Sequence, residues 1–131
     1  AYESERGNIT ETEVFEKMRA ILRIMENAIQ LGLKGTEYED RILGSQSLQF
    51  QEQLTQNRLP GGNANNLVIM YVSAMMEVKS SMGVIVAAPT AGSCGALPGA
   101  IIGMGNSMEL TEDEKVKGFN SLLIAYLLQI Y

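Results

Sequence analysis

The chain has 131 residues, 46% of them hydrophobic, enough for one domain with a single sizeable core. A net charge of −5 with no basic cluster and no basic stripe interleaved with aromatics excludes a phosphate backbone as a natural partner, so no nucleic acid is expected. One cysteine rules out an internal disulfide, the lack of histidine removes the commonest neutral-pH acid/base and metal ligand, and the polar start Ala1 to Asn8 does not read as an export signal; the expected location is cytoplasmic.

Thr10 followed by Glu13 has the spacing of a capping box and predicts a helix start. Val14, Met18, Ile21, Leu22, Met25 and Ile29 then recur every three or four residues as one apolar stripe, with Glu16, Lys17, Arg19 and Arg23 outside it. Gly32 and Gly35 are the expected stop. Thr36 to Pro60 is the most polar stretch, predicted as loop plus a marginal surface helix through Leu48 and Leu54, and Leu59-Pro60-Gly61-Gly62-Asn63 predicts a turn.

Ala64 to Met76 carries no charge, and its apolar residues Leu67 to Val72, Met75 and Met76 point all round a helix, which predicts burial on most sides. Flanked by Glu77 and Lys79, it falls short of the about 20 apolar residues a membrane span needs. The uncharged run from Ser80 to Met108 is interrupted by glycine, proline, serine and threonine, so its backbone would be poorly satisfied in lipid, and no membrane association is expected. Met70, Met75, Met76, Met82 and Met104 read as core filling.

Val84-Ile85-Val86 is the one hint of a strand, too short to support a sheet. Pro98 suits the first turn of a short helix through Ile101, Ile102 and Met104, ending near Asn106 and Ser107. Thr111 and Glu114 form a second capping box, followed by a stripe of Val116, Phe119, Leu122, Leu123, Tyr126, Leu127 and Ile130. The sequence stops inside that apolar helix, which reads as truncation. The expectation is an all-α, helical bundle-like fragment, with an uncovered apolar face that predicts a homo-oligomer.

Chemistry concentrates in Ala88-Pro89-Thr90-Ala91-Gly92-Ser93-Cys94-Gly95-Ala96-Leu97, a turn of small residues feeding a helix start. Backbone amides are free at such a place, glycines let a ligand approach the main chain, and two hydroxyls add directional bonds, so a carboxylate is the natural guest. Thr90, Ala91, Gly92, Ser93 and Gly95 are therefore the candidate substrate-binding residues. An ordinary tight connection between helices has the same composition. No catalytic base and no metal-ligand set stands out.

The string A-P-T-A-G-S-C-G-A-L-P-G, Ala88 to Gly99, preceded by Glu77 and by Met82 to Ala87, resembles a segment of the catalytic alpha part of bacterial iron-sulfur L-serine dehydratases. There it leads through a Pro-Thr-Ala-Gly turn into a Pro-Gly helix start. More loosely, Met25-Glu26-Asn27-Ala28, the glycine-rich turn, the buried helix and the Thr111 to Glu114 helix start follow the family's order. Two places depart from it: Glu77-Val78-Lys79 stands where Glu-Val-Asn is expected, and Pro60-Gly61-Gly62-Asn63 replaces a Ser-Gly-Pro type of loop.

The resemblance implies a lyase that eliminates water from L-serine to give pyruvate and ammonia, with a [4Fe-4S] cluster as Lewis acid on the hydroxyl. It implies that the cluster's cysteines lie downstream of residue 131, so that residues 1–131 form the N-terminal part of the alpha domain, bind no cluster and are inactive alone. The implied partners are L-serine, the C-terminal half of that domain and a beta domain or subunit. Under this reading Thr90 to Gly95 forms part of the substrate pocket, and Cys94 is a small pocket residue rather than a cluster ligand. Two other classes fit the residues: a non-catalytic helical interaction or oligomerisation module, and a pyridoxal-phosphate enzyme with phosphate at Gly92 to Gly95 and Lys79 as the nearest lysine in sequence.

Overall fold

The computed structural model describes residues 2–129 except residue 89, and side chains from Ser4 to Leu122. Leu123, Tyr126 and Leu127 of the expected last stripe lie outside the described side chains, and Pro89 and Ile130 outside the described residues. Among the described residues the chain forms six α-helices and no strand: α1 (Tyr2–Gly7), α2 (Glu11–Leu33), α3 (Ser47–Thr55), α4 (Asn63–Ser80), α5 (Ala96–Ser107) and α6 (Glu112–Gln129), with a 3-10 turn at Ala91–Ser93 before α5. α4 is central and touches α2, α3 and α5, while α6 lies against α2 and α5. None of these helices is long and apolar enough to cross a membrane.

α2 begins as its sequence requires. The Glu13 amide donates to Thr10 Oγ1 at 3.2 Å and the Thr10 amide to Glu13 Oε2 at 2.7 Å, satisfying two of the amides a helix start leaves open. Its apolar stripe buries Leu22, Met25, Ala28, Ile29 and Leu33 against α4, whose Met70, Tyr71, Ala74, Met75 and Val78 complete the core. The expected two-glycine stop needs correcting. Gly35, at φ +95, does close the helix, its amide donating to the Gly32 carbonyl at 3.0 Å. Gly32 instead lies inside the helix and lets α2 approach α4, since a Cβ there would come within 2.7 Å of the Ala74 carbonyl carbon.

α4 runs from Asn63 to Ser80, four residues past the uncharged Ala64 to Met76 stretch. Charge does not end it, because Glu77 is taken into the interior with partners and Lys79 in the last turn complements the helix dipole. Nor is it buried all round, since Ile69 stays half exposed. Among the described residues the α4–α5 contact is the most extensive between two helices. A Cβ at Gly99 would stand 2.9 Å from the Val72 nitrogen, one at Gly103 2.9 Å from Val68 Cα, and one at Gly95 3.0 Å from Met76 Cγ. Glycines every fourth residue on α5 thus receive a ridge of side chains every fourth residue on α4, running in the opposite order.

Four helices end in the same way without a glycine in the left-handed position. Asn8, Asn57, Met82 and Glu109 hold φ of 49, 54, 58 and 55, and the next amides reach back: Ile9 to the Ser4 carbonyl, Arg58 to Gln53, Gly83 to Val78 and Leu110 to Gly105. Each is a Schellman closure. After α4, residues 83–87 run as an irregular strap, so the Val84 to Val86 hint of strand finds no partner; Ile85 and Val86 pack on the core and Val84 faces solvent. α6 docks on α2 through Arg23, bidentate on Glu112 at 2.7 and 3.1 Å, and Arg19, 2.6 Å from Asp113.

Candidate functional site

The candidate turn is held at both ends. Ala88 and Cys94 are buried, Cys94 with no exposed surface, and between them Thr90, Ala91 and Gly92 face solvent with Ser93 half-buried. Thr90 is extended at φ −116 and ψ 161 and caps the 3-10 turn. The Ser93 amide donates to Thr90 Oγ1 at 3.3 Å and the Thr90 amide to Ser93 Oγ at 3.2 Å, a capping box compressed onto one short turn. Ser93 Oγ in turn donates to the Ala88 carbonyl at 2.8 Å. Both hydroxyls therefore serve first to fold the turn, and the Thr90 and Ser93 oxygens lie 3.0 Å apart.

Of the expected substrate-binding residues, Thr90, Ala91, Gly92 and Ser93 form one small surface, and Gly95 lies behind it, buried against Met76 where α5 begins. Gly92 is open on one side: a Cβ there would meet Thr90 Oγ1 at 3.6 Å and nothing closer. The amides of Ala91 and Gly92 occupy the first positions of the turn, where helical geometry offers no acceptor within the helix. A rigid surface of this kind can hold a small anion by its main chain. Pro89 lies outside the described residues.

One residue with a hand in the site was legible only as a flank. The Lys79 ammonium, from the last turn of α4, donates to the Ala91 carbonyl at 3.0 Å. Two residues earlier, Glu77 is 2% exposed and points the other way: its Oε1 accepts the Gln46 and Ser47 amides, both at 2.8 Å, and its Oε2 accepts the Ser47 hydroxyl at 2.7 Å. α3 has no side-chain cap of its own, so Glu77 supplies one from a different helix. The alternation of Glu77 and Lys79 was visible in sequence, but their opposite destinations depend on what packs on each side of α4.

A cleft of about 360 Å³ opens elsewhere, lined by Glu26, Asn27, Ile29 and Gln30 of α2, Tyr71 of α4, Ile102 and Asn106 of α5 and Lys115 of α6. Four of its polar groups form two pairs, Lys115 with Glu26 at 3.1 Å and Asn106 with the Tyr71 hydroxyl at 3.1 Å. Ala96 and Asn106 are ten residues apart on α5, about 15 Å along the axis at 1.5 Å per residue, which separates the cleft from the turn.

The comparisons with known proteins agree with the string that forms this turn. The family model described as "Serine dehydratase alpha chain" matches residues 1–131. A relative from Bacillus subtilis (strain 168), named "Probable L-serine dehydratase, alpha chain", is 28% identical over 117 residues, covering 89% of this chain and 39% of its own length. The chain thus spans well under half of that relative. No solved structure matches. With the family match running from the first residue to the last, the chain belongs to the serine dehydratase alpha chain family.

Proposed function

We propose that this chain supplies the carboxylate-holding wall of a catalytic site that eliminates water from L-serine, giving pyruvate and ammonia. The observation that supports it most is the Thr90 to Ser93 turn, which the family's most specific string builds as a preorganised, solvent-facing surface with its hydroxyls already tied down. The α-proton of serine is weakly acidic and its hydroxide a poor leaving group, so much of the protein's contribution is to fix the substrate and align the bonds that break. A carboxylate seated on the Ala91 and Gly92 amides would be held without any reorganisation of the turn.

The iron-sulfur cluster implied by the resemblance does not fit the residues present. Such a cluster is held by cysteine thiolates, whereas the one cysteine, Cys94, is fully buried, and among the described residues no group of three or more histidine, cysteine, aspartate and glutamate side chains could hold a metal. In this reading the base that takes the α-proton and the group that activates the hydroxyl belong to protein outside residues 1–131, in a C-terminal half of the alpha domain and a beta chain or domain.

The test is a serine dehydratase assembled to completeness around this chain. Ser93→Ala removes the hydroxyl that ties Thr90 to Ala88 and so loosens the turn that seats the carboxylate; it should lower kcat/KM by about 1 to 3 kcal/mol and leave the enzyme's iron-sulfur absorption unchanged. Normal kinetics in Ser93→Ala, together with lost absorption in Cys94→Ala, would reverse the assignment of the turn.

A further inference from the structure

Nothing from Ser80 to Met108 is charged, so the turn has no formal charge of its own. Among the described residues, the one charged group whose hydrogen bond reaches residues 88–95 from outside is the Lys79 ammonium, 3.0 Å from the Ala91 carbonyl. The neighbouring carboxylate does not offset it, because Glu77 is turned into the interior and engaged by Gln46 and Ser47.

We propose that Lys79 is a positioning and specificity residue for the Thr90–Ser93 turn: it pins the Ala91 carbonyl and makes the turn select a carboxylate over a neutral guest. This rests on the reading of the turn as a carboxylate-holding surface. The Ala91 carbonyl and the Gly92 amide are the two ends of one trans peptide and point opposite ways, so an ammonium bonded to the carbonyl fixes the peptide plane and polarises the Gly92 N–H as a donor. An ammonium has three donors and the Ala91 carbonyl uses one, which leaves cationic hydrogen-bonding capacity at the rim of the turn.

The experiment uses the 131-residue chain, isotopically labelled, as wild type, Lys79→Arg, Lys79→Gln and Lys79→Met. Amide shifts of Ala91, Gly92 and Ser93 are followed by NMR on titration with sodium acetate, L-serine and, as the uncharged control, acetamide, at constant ionic strength. Urea melts of each variant check the global fold, and hydrogen exchange of the Ser93 amide reports the order of the turn. Wild type and Lys79→Arg should respond saturably to acetate and L-serine and not to acetamide. Lys79→Gln and Lys79→Met should bind acetate about tenfold more weakly at an unchanged urea midpoint, with faster Ser93 exchange in Lys79→Met.

Equal acetate affinity in all four proteins, or unchanged Ser93 exchange in Lys79→Met, overturns the role of Lys79 and leaves the carboxylate turn standing. A shifted urea midpoint that accounts for the whole loss overturns it too, by reducing Lys79 to a structural residue. Absence of any response to acetate or L-serine at the turn in the wild type overturns both the role of Lys79 and the reading on which it rests.

Discussion

The Ser47 hydroxyl donates to Glu77 Oε2 at 2.7 Å and lies 3.1 Å from the Gly32 carbonyl, so that one small side chain stands where α2, α3 and α4 meet. Ser47 has no exposed surface. Because Glu77 also accepts two main-chain amides at the start of α3, the pair fixes the N-terminus of a short helix whose Phe50 and Leu54 pack on the core. Glu77→Gln should destabilise the fold by about 1 to 3 kcal/mol and Ser47→Ala by about 1 kcal/mol, with the double variant losing less than the sum. Urea denaturation measures all three, and additive losses would mean the two residues act separately.

The glycines of α5 give a prediction with two signs. Gly99→Ala and Gly103→Ala each put a methyl group against the α4 main chain at Val72 and Val68 and should cost about 1 to 3 kcal/mol. Gly118 lies inside α6 with nothing within 4 Å of its would-be Cβ, and Gly118→Ala should stabilise by about 0.5 to 1 kcal/mol through helix propensity alone. Thermal melts in which neither Gly99→Ala nor Gly103→Ala was destabilising would contradict the α4–α5 packing, and a destabilising Gly118→Ala would contradict the open surroundings of Gly118.

Acid should weaken this fold through its helix starts. The main-chain amide and hydroxyl of Thr10 hold the Glu13 carboxyl below the ordinary value of 4.5, the Thr111 hydroxyl and amide do the same for Glu114, and Arg23 does it for Glu112. A carboxyl with a depressed native pKa binds fewer protons folded than unfolded. Its contribution is therefore complete above the unfolded value and is lost as pH falls through the folded one. Stability should decline below about pH 5, and Glu13→Gln should make that decline shallower. An unchanged slope in Glu13→Gln would show that the box at Thr10 carries no pH dependence.

Cys94, enclosed at the start of α5, should resist a water-soluble thiol reagent in the folded chain and react fully in denaturant. Rapid native-state labelling, followed by absorbance at stoichiometric protein, would place the thiol at the surface and open the end of α5.

The elements legible in the sequence are those whose cause is local. The capping boxes at Thr10 and Thr111 need residues three apart, and the stripe from Val14 to Ile29 needs a helical period, so both can be read without knowing what lies opposite. The place of the turn from Thr90 to Ser93 belongs with them, but the sequence offered its two hydroxyls to a ligand, whereas they close the turn itself. Other features depend on partners distant in sequence. Gly32 has the composition of a stop, yet it serves as a contact because Ala74 comes to rest on it. α3 looks marginal by itself and is ordered by a carboxylate thirty residues away. Asn57, Met82 and Glu109 close helices in a conformation that composition assigns to glycine, with the reaching-back amides meeting the cost. Glu77 and Lys79, two residues apart on one helix, were indistinguishable as flanking charges. Tertiary packing sent one into the core and the other to the turn, since a helix turns about 200° over two residues and presents them to different neighbours.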